Sequence, residues 1–309
     1  MLKRLIKGSE SRKGALRWWM LGLLVLAMVV SYIDRGNISM AIPVITDFFN
    51  LDAQKKGYVF SAFLLGYALM QIPSGRLVDR YGIKWTYAIS FFLWCLVAAA
   101  FGFTSLLWHL LALRVLLGVT ESISGPAGNA YVALHFDEDE RGFASGLLIS
   151  GSKIGPAIGA VIAGILIDGY GWRMLFILCG LVPMIWIVPW LLLYRKQERR
   201  LKKPVQQPDM PPAKVIVHEK VSLMQLAQNR KTWGIFLGYF FYGYVWFLYI
   251  SWLPSYLYEV LGFSIKETGW WAGFAYGCLA LVVILSGYAA DKLISKGHTP
   301  TKIRKRFII

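Results

Sequence analysis

The chain has 309 residues, of which 57% are hydrophobic and only 16% charged, and its formal net charge is +16. A soluble domain carries about 25% charged residues, so this composition excludes an ordinary soluble globular protein and points to a membrane protein. The positive charge does not mark a nucleic-acid binder, because it falls almost wholly in one set of loops.

A helix needs about 20 mostly apolar residues to cross a bilayer core. Eight stretches meet that need, at 18–46, 57–77, 84–103, 106–134, 142–167, 171–194, 232–260 and 268–290. They lack the apolar–polar alternation of a membrane barrel, so the expected class is an all-α polytopic membrane protein. The run from Trp18 is longer than a signal-peptide core and continues into Asp34 and Arg35 without a small-residue cleavage site. With residues 1–17 placed inside, only Lys55, Lys56, Arg173 and Lys266 fall in outer loops, and Arg35, Arg114 and Lys153 fall within spans. The rest of the 33 Lys and Arg lie on the inner side. This positive-inside bias predicts that both ends face the cytoplasm.

Ionisable residues inside spans are costly and usually line a cavity. In span 1 the apolar run is interrupted by Ser31-Tyr32-Ile33-Asp34-Arg35-Gly36-Asn37. Span 4 holds Arg114 and Glu121, seven residues apart and therefore on one helical face. Asp34 and Glu121 are the only acids deep within the spans, and two carboxylates near guanidinium groups are suited to carry protons. Arg35, with a permanent charge, suits a substrate carboxylate. A purely structural pair of bridges holding spans 1 and 4 together is a compatible alternative.

The turn after span 2 reads Gly75-Arg76-Leu77-Val78-Asp79-Arg80-Tyr81-Gly82-Ile83-Lys84. Gly75 is expected to let helices approach closely, and Asp79, beside cations at a helix end, to act as a gating latch. Span 5 carries Gly142, Gly151, Gly155, Pro156 and Gly159, a small-residue face with a site for a bend. Lys153 in the same span is expected to pair with an acid or to add positive charge to a cavity. Cys95, Cys179 and Cys278 stand singly, and neither they nor the four His show metal or redox spacing. No phosphate-binding loop or nucleophile motif is present, so neither an enzyme nor a cofactor is implied.

Residues 195–231 are polar and contain Pro204, Pro208, Pro211 and Pro212, the composition of a cytoplasmic linker. The two spans beyond repeat the first two: Gly57, Leu69, Ser74, Gly75 and Asp79 recur at one constant offset as Gly269, Leu281, Ser286, Gly287 and Asp291. Parallel six-helix halves joined by a linker are the plan of a large transporter class. The organisation expected is an N-terminal segment 1–17, a six-helix bundle 18–194, the linker 195–231, and a partial second bundle 232–309. A ninth span would begin where the chain stops.

The turn after span 2 closely resembles the G-x-L-x-D-R-x-G-x-K signature of the major facilitator superfamily. Tyr32-x-Asp34-Arg35-x-Asn37, with Arg114, Glu121, Pro126 and Asn129, is similar to its anion:cation symporter family. The resemblance implies a proton-coupled symporter for small organic anions, in a bacterial inner membrane, monomeric, with no metal and no partner beyond substrate, protons and lipid. It further implies proton sites at Asp34 and Glu121, and a pocket including Arg35, Tyr32, Tyr67, Arg114 and Asn129. Ser152 and Tyr239 stand where galactonate-type members carry Gln, and Tyr242 where vesicular relatives carry Arg, so the substrate stays open. An antiporter or facilitator, an inactive fragment and a non-transporting membrane subunit are the alternatives.

Overall fold

The computed structural model describes residues 2–136, 138–201, 228–295 and 299. Among them every regular element is helical: α1 (Leu2–Phe49), α2 (Ala53–Tyr81), α3 (Ile83–Ala100), α4 (Leu107–Glu121), α5 (Ser124–His135), α6 (Glu138–Leu181), α7 (Ile187–Leu201), α8 (Arg230–Ser255) and α9 (Ile265–Ser295). Lipid offers no hydrogen bonds, so an apolar spanning segment satisfies its backbone internally as a helix.

Five stretches are long and apolar enough to cross a membrane: Gly14–Phe49, Ile83–Phe103, Leu107–His135, Glu140–Arg195 and Thr232–Val260. The fourth has 56 residues, roughly 84 Å if straight, against a bilayer core of about 30 Å. It reverses inside α6 at Gly171, whose φ of 79° is open to glycine and strained for other residues. It therefore contains the fifth and sixth expected spans. The second and eighth correspond to α2 and α9, of 29 and 31 residues. The fourth bends slightly at Ser122–Ile123, between α4 and α5.

The turns alternate between two ends of the bundle. Gly82, at φ 78°, separates α2 from α3 at the end that also carries Phe136 and Arg195. At the opposite end, Asp52 caps α2 by accepting from the Lys55 backbone N–H. There too Ser264 and Glu267 form a reciprocal capping box on α9. The Ser264 hydrogen bonds hold the Glu267 carboxyl below the usual carboxylate range.

Small residues set the closest helix approaches. A Cβ on Gly66 would lie 2.2 Å from the Val115 carbonyl oxygen, and one on Gly118 2.2 Å from that of Phe63, so α2 and α4 touch backbone to backbone. In α6, Gly151, Gly155 and Gly159 seat against Val25, Tyr32 and Ile33 of α1, while the helix runs on through Pro156. Gly164 meets Gly269 of α9. One expectation is corrected. A Cβ on Gly75, or on Gly142, would meet nothing within 4 Å; the contact glycines of α2 and α4 are Gly66 and Gly118. Past Arg195, where the apolar span ends, α7 continues through Leu201. Residues 202–227 lie outside the described residues.

Candidate functional site

A single-residue step on α1 aims Asp34 and Arg35 at different neighbours. The Arg35 guanidinium donates from Nε to Glu121 Oε2 at 3.1 Å, joining α1 to the last residue of α4. Both groups are buried, Glu121 completely. Ser31 Oγ, one helical turn before Arg35, donates to the same Glu121 oxygen at 2.7 Å. The other oxygen, Oε1, is buried with no hydrogen-bond partner among the described residues. A buried carboxylate usually fills all its acceptor positions, so this one is poised to take a proton or a further donor.

The Arg35 guanidinium sits within 4.4 Å of the Tyr32 ring centre, 4.6 Å of Tyr67 and 5.0 Å of Phe63. These rings hold the flat cation by their faces and leave its edge for a carboxylate. The Phe63 ring also faces Arg114, at 4.9 Å.

Asp34 turns the other way. Its Oδ2 accepts from Trp94 Nε1 on α3 at 2.6 Å, and its Oδ1 weakly from Asn37 Nδ2 at 3.4 Å. A buried indole N–H needs an acceptor, and Trp94 is fixed by packing on Phe91, which stacks on Trp186. The expectation of two bridges between spans 1 and 4 is therefore corrected. Arg114 donates from Nε to the Val59 carbonyl at 3.0 Å instead of to Asp34, leaving one bridge. Sequence reasoning passed over the roles of Ser31, Phe63 and Trp94. Ser31 lay inside the polar interruption of span 1; the two rings carried no local signal in strongly apolar runs.

The other candidates divide. Tyr67 and Tyr239 line a cavity of about 700 Å³ between α2 and α8. Asn129 is exposed on α5, with no hydrogen bond to this cluster among the described residues. Ser152 is buried, and its hydroxyl is taken by the Ile149 carbonyl of its own helix. Lys153 pairs with no acid among the described residues; its Nζ donates to the Tyr242 hydroxyl at 2.6 Å and lies 3.5 Å from the Trp246 ring centre. Asp79 is exposed and makes no ion pair among the described residues, Arg80 lies over Tyr81, and Lys84 over Trp85. Gly287 and Asp291 fall in the last turns of α9, and their side chains lie outside the description. No group of three His, Cys, Asp or Glu side chains able to hold a metal occurs among the described residues.

Residues 24–309 match the family described as Major Facilitator Superfamily. The chain is similar to the D-galactonate transporter of Escherichia coli O6:H1, at 30% identity over 97% of this chain and 73% of that protein. It is also similar to the hexuronate transporter of Bacillus subtilis, at 32% identity over 89% of this chain. It spans 65% of that protein's length. The fold matches the inward-facing structure of a bacterial homolog of the human lysosomal transporter Spinster, with a TM-score of 0.70 and 22% identity. That match covers 91% of this chain and 64% of the solved one.

Proposed function

We propose, from the premise that this chain belongs to the Major Facilitator Superfamily, that it acts in the secondary active transport of small organic anions, sugar acids foremost, by proton-coupled symport. The chain is an integral, multi-pass membrane protein whose curated relatives are named transporters of sugar acids. The observation that carries the reading is the buried Arg35–Glu121 pair in its ring of Tyr32, Phe63 and Tyr67, with Tyr67 opening onto the cavity.

The mechanism follows from competition for one guanidinium. Glu121 holds Arg35 when ionised. A proton on Glu121 releases Arg35 for the substrate carboxylate, and a carboxylate on Arg35 in turn favours a protonated Glu121. This reciprocity couples the two ligands, as linkage requires. Oε1, without a hydrogen-bond partner among the described residues, gives the proton a place that costs no existing hydrogen bond. Asp34, on the far side of α1, is a second proton site whose partner Trp94 still donates weakly when the charge is lost. Ser31 and Trp94 position these carboxylates, and the permanent charge of Arg35 keeps the empty pocket selective for anions.

Orientation follows from the loop charges: the end with Lys55 and Lys266 is external, and both the N-terminus and residues 195–231 are cytoplasmic, in a bacterial inner membrane. The test is uptake and counterflow of D-galactonate by proteoliposomes containing the protein, with and without an inward proton gradient. Gradient-dependent accumulation is expected. Counterflow with no response to the gradient would make the protein a facilitator or exchanger.

A further inference from the structure

Past Glu121, toward the cytoplasmic end in the orientation proposed above, the fourth span changes character. Ser122 and Ile123 interrupt the helix between α4 and α5, and Pro126 offers no N–H to the Ser122 carbonyl four residues before it. Around this break Ser74 of α2, Tyr87 of α3, Ser122 and Ser124 are all buried. A helical serine often returns its hydroxyl to a carbonyl of the preceding turn. Ser122 does so at Val119, and Ser150 and Ser152 do so at Leu147 and Ile149. Ser124 does not. The Thr120 carbonyl, four residues before it, accepts from Ser90 of α3, and Ser124 Oγ has no hydrogen-bond partner among the described residues.

Ser124 follows Glu121 by three residues, about one helical turn nearer the cytoplasm. Glu121 Oε1 is likewise buried without a partner among the described residues, while Arg35 and Ser31 hold Oε2. Tyr87 joins the two: its side chain interacts with that of Ser124 and with the charge of Glu121. It stands about one turn into α3 from Gly82, at the cytoplasmic end. Gln71 of α2 borders the same place, its Oε1 4.0 Å from where a Cβ on Gly125 would lie. The Gln71 amide nitrogen is also buried without a partner among the described residues. Donors and acceptors left over together in one buried spot are what an internal water bridges.

We propose that Ser124 and Tyr87 form the cytoplasmic proton exit from Glu121, with one water bridging Oε1 and the Ser124 hydroxyl. This rests on the reading of Glu121 as a proton site. A hydroxyl accepts and donates at once, so it passes a proton on without holding charge. The proton on Oε1 goes to the water, and the water gives one of its own to Ser124 Oγ. Ser124 gives its proton to the Tyr87 oxygen, and the Tyr87 proton leaves to cytoplasmic water. Every relay oxygen ends with as many protons as it began with; Oε1 alone has lost one, and the restored carboxylate recaptures Arg35. The two oxygens of Glu121 thereby divide the work. Substrate competes at Oε2 for Arg35, and the proton departs from Oε1 by a route the substrate does not occupy. Polar side chains within spans commonly serve such relays.

The experiment uses the full chain in proteoliposomes, with D-galactonate as the probe and a trapped pH-sensitive dye to follow protons. Ser124→Ala, Ser124→Thr and Tyr87→Phe are compared with the unsubstituted protein. Counterflow exchanges the loaded carrier without requiring proton release, whereas gradient-driven uptake requires it in every cycle. Ser124→Ala and Tyr87→Phe should keep counterflow within about twofold and lose at least about tenfold in gradient-driven uptake and proton entry. Their remaining uptake should be slowed further in heavy water. Ser124→Thr keeps the hydroxyl and should behave as the unsubstituted protein. Tyr87→Phe keeps the ring that packs on Trp186 and Trp190, and retained counterflow certifies the fold of each variant. Counterflow that falls in step with uptake would make these residues structural and overturn the relay. So would normal gradient-driven uptake in either Ser124→Ala or Tyr87→Phe. If the unsubstituted protein moves no protons with D-galactonate, the coupling reading falls and the relay with it; normal coupling with unaffected variants removes the relay alone.

Discussion

The Lys56 ammonium at the start of α2 lies 2.6 Å from the Glu259 carboxylate at the end of the seventh span, bridging residues 203 apart in sequence. Close by, the Phe60 ring contacts Trp252 at 5.6 Å, and Gly164 meets Gly269 backbone to backbone. All lie toward the end of the bundle that carries the α1–α2 turn, the external end in the orientation proposed above. We infer that this bridge holds the outer end shut. Glu259 is 39% exposed, so solvent screening keeps the bridge weak, worth about 1 kcal/mol or less. Lys56→Gln should shift the conformational balance toward an open outer end by about threefold, read as faster thiol labelling of a cysteine placed at Leu257, which is buried here. The swap of Lys56→Glu with Glu259→Lys should restore slow labelling. Unchanged labelling in the single variant would remove the bridge from gating.

Helix contacts offer a sharper stability test. Gly118→Ala would push a methyl to 2.2 Å from the Phe63 carbonyl oxygen and 2.7 Å from the Tyr67 backbone nitrogen, atoms that move only with the whole helix. A cost of about 1–3 kcal/mol is expected, typical of overpacking. Gly75→Ala should be near neutral, since nothing lies within 4 Å of its added carbon. Thermal unfolding in detergent compares them, and a Gly75 variant as damaged as the Gly118 variant would contradict this packing.

These two glycines also mark what the sequence could and could not disclose. Gly75 belongs to a familiar signature, yet it faces open space; Gly66 and Gly118, in no motif, fix the α2–α4 distance. Apolar run length and loop charge foretold the all-helical class. Charged residues in apolar spans foretold that Asp34, Arg35, Arg114 and Glu121 matter, since burial of charge is costly enough to be informative on its own. Which acid meets which cation depends on helix rotation, a tertiary property. So Trp94 as the partner of Asp34, Val59 as that of Arg114, and the aromatic setting of Lys153 emerged only from the structure.

Topology is checked by single-cysteine labelling in intact cells. Cysteines at Lys55 and Lys266 should react with a membrane-impermeant reagent from outside, and one at Lys202, among the densest positive charge, should not. External reaction at Lys202 would reverse the orientation and, with it, the assignment of the outer gate.

Arg35→Lys keeps the charge and should still reduce uptake of the transported anion by at least about tenfold. A guanidinium can present two parallel N–H donors to a carboxylate while its faces rest on Tyr32 and Tyr67. An ammonium is a compact point charge without that flat two-sided geometry. Substrate affinity should fall together with uptake, because the loss is at the binding step. Near-normal uptake in proteoliposomes would show that Arg35 is not the carboxylate clamp.

Glu121→Gln tests the coupling itself. The amide is nearly the shape of the carboxyl group, so the Ser31 hydroxyl and Arg35 Nε can still donate to its oxygen. What changes is charge: the site becomes a permanent mimic of the protonated state. Arg35 is then released from its strongest competitor, and substrate should bind at least as well as before. A carrier in this condition should exchange substrate across the membrane, since both orientations stay accessible to the loaded form. It should not accumulate substrate against a concentration difference, because a site that cannot gain or lose a proton gives the gradient nothing to act on. Asp34→Asn retains an acceptor for Trp94 and should weaken coupling while counterflow persists. Paired measurements of gradient-driven uptake and of counterflow in the same vesicles separate the two functions. Loss of accumulation of about tenfold or more, with counterflow preserved, is the expected result for Glu121→Gln. Accumulation that persists in the double variant Glu121→Gln, Asp34→Asn would exclude both carboxylates from proton coupling.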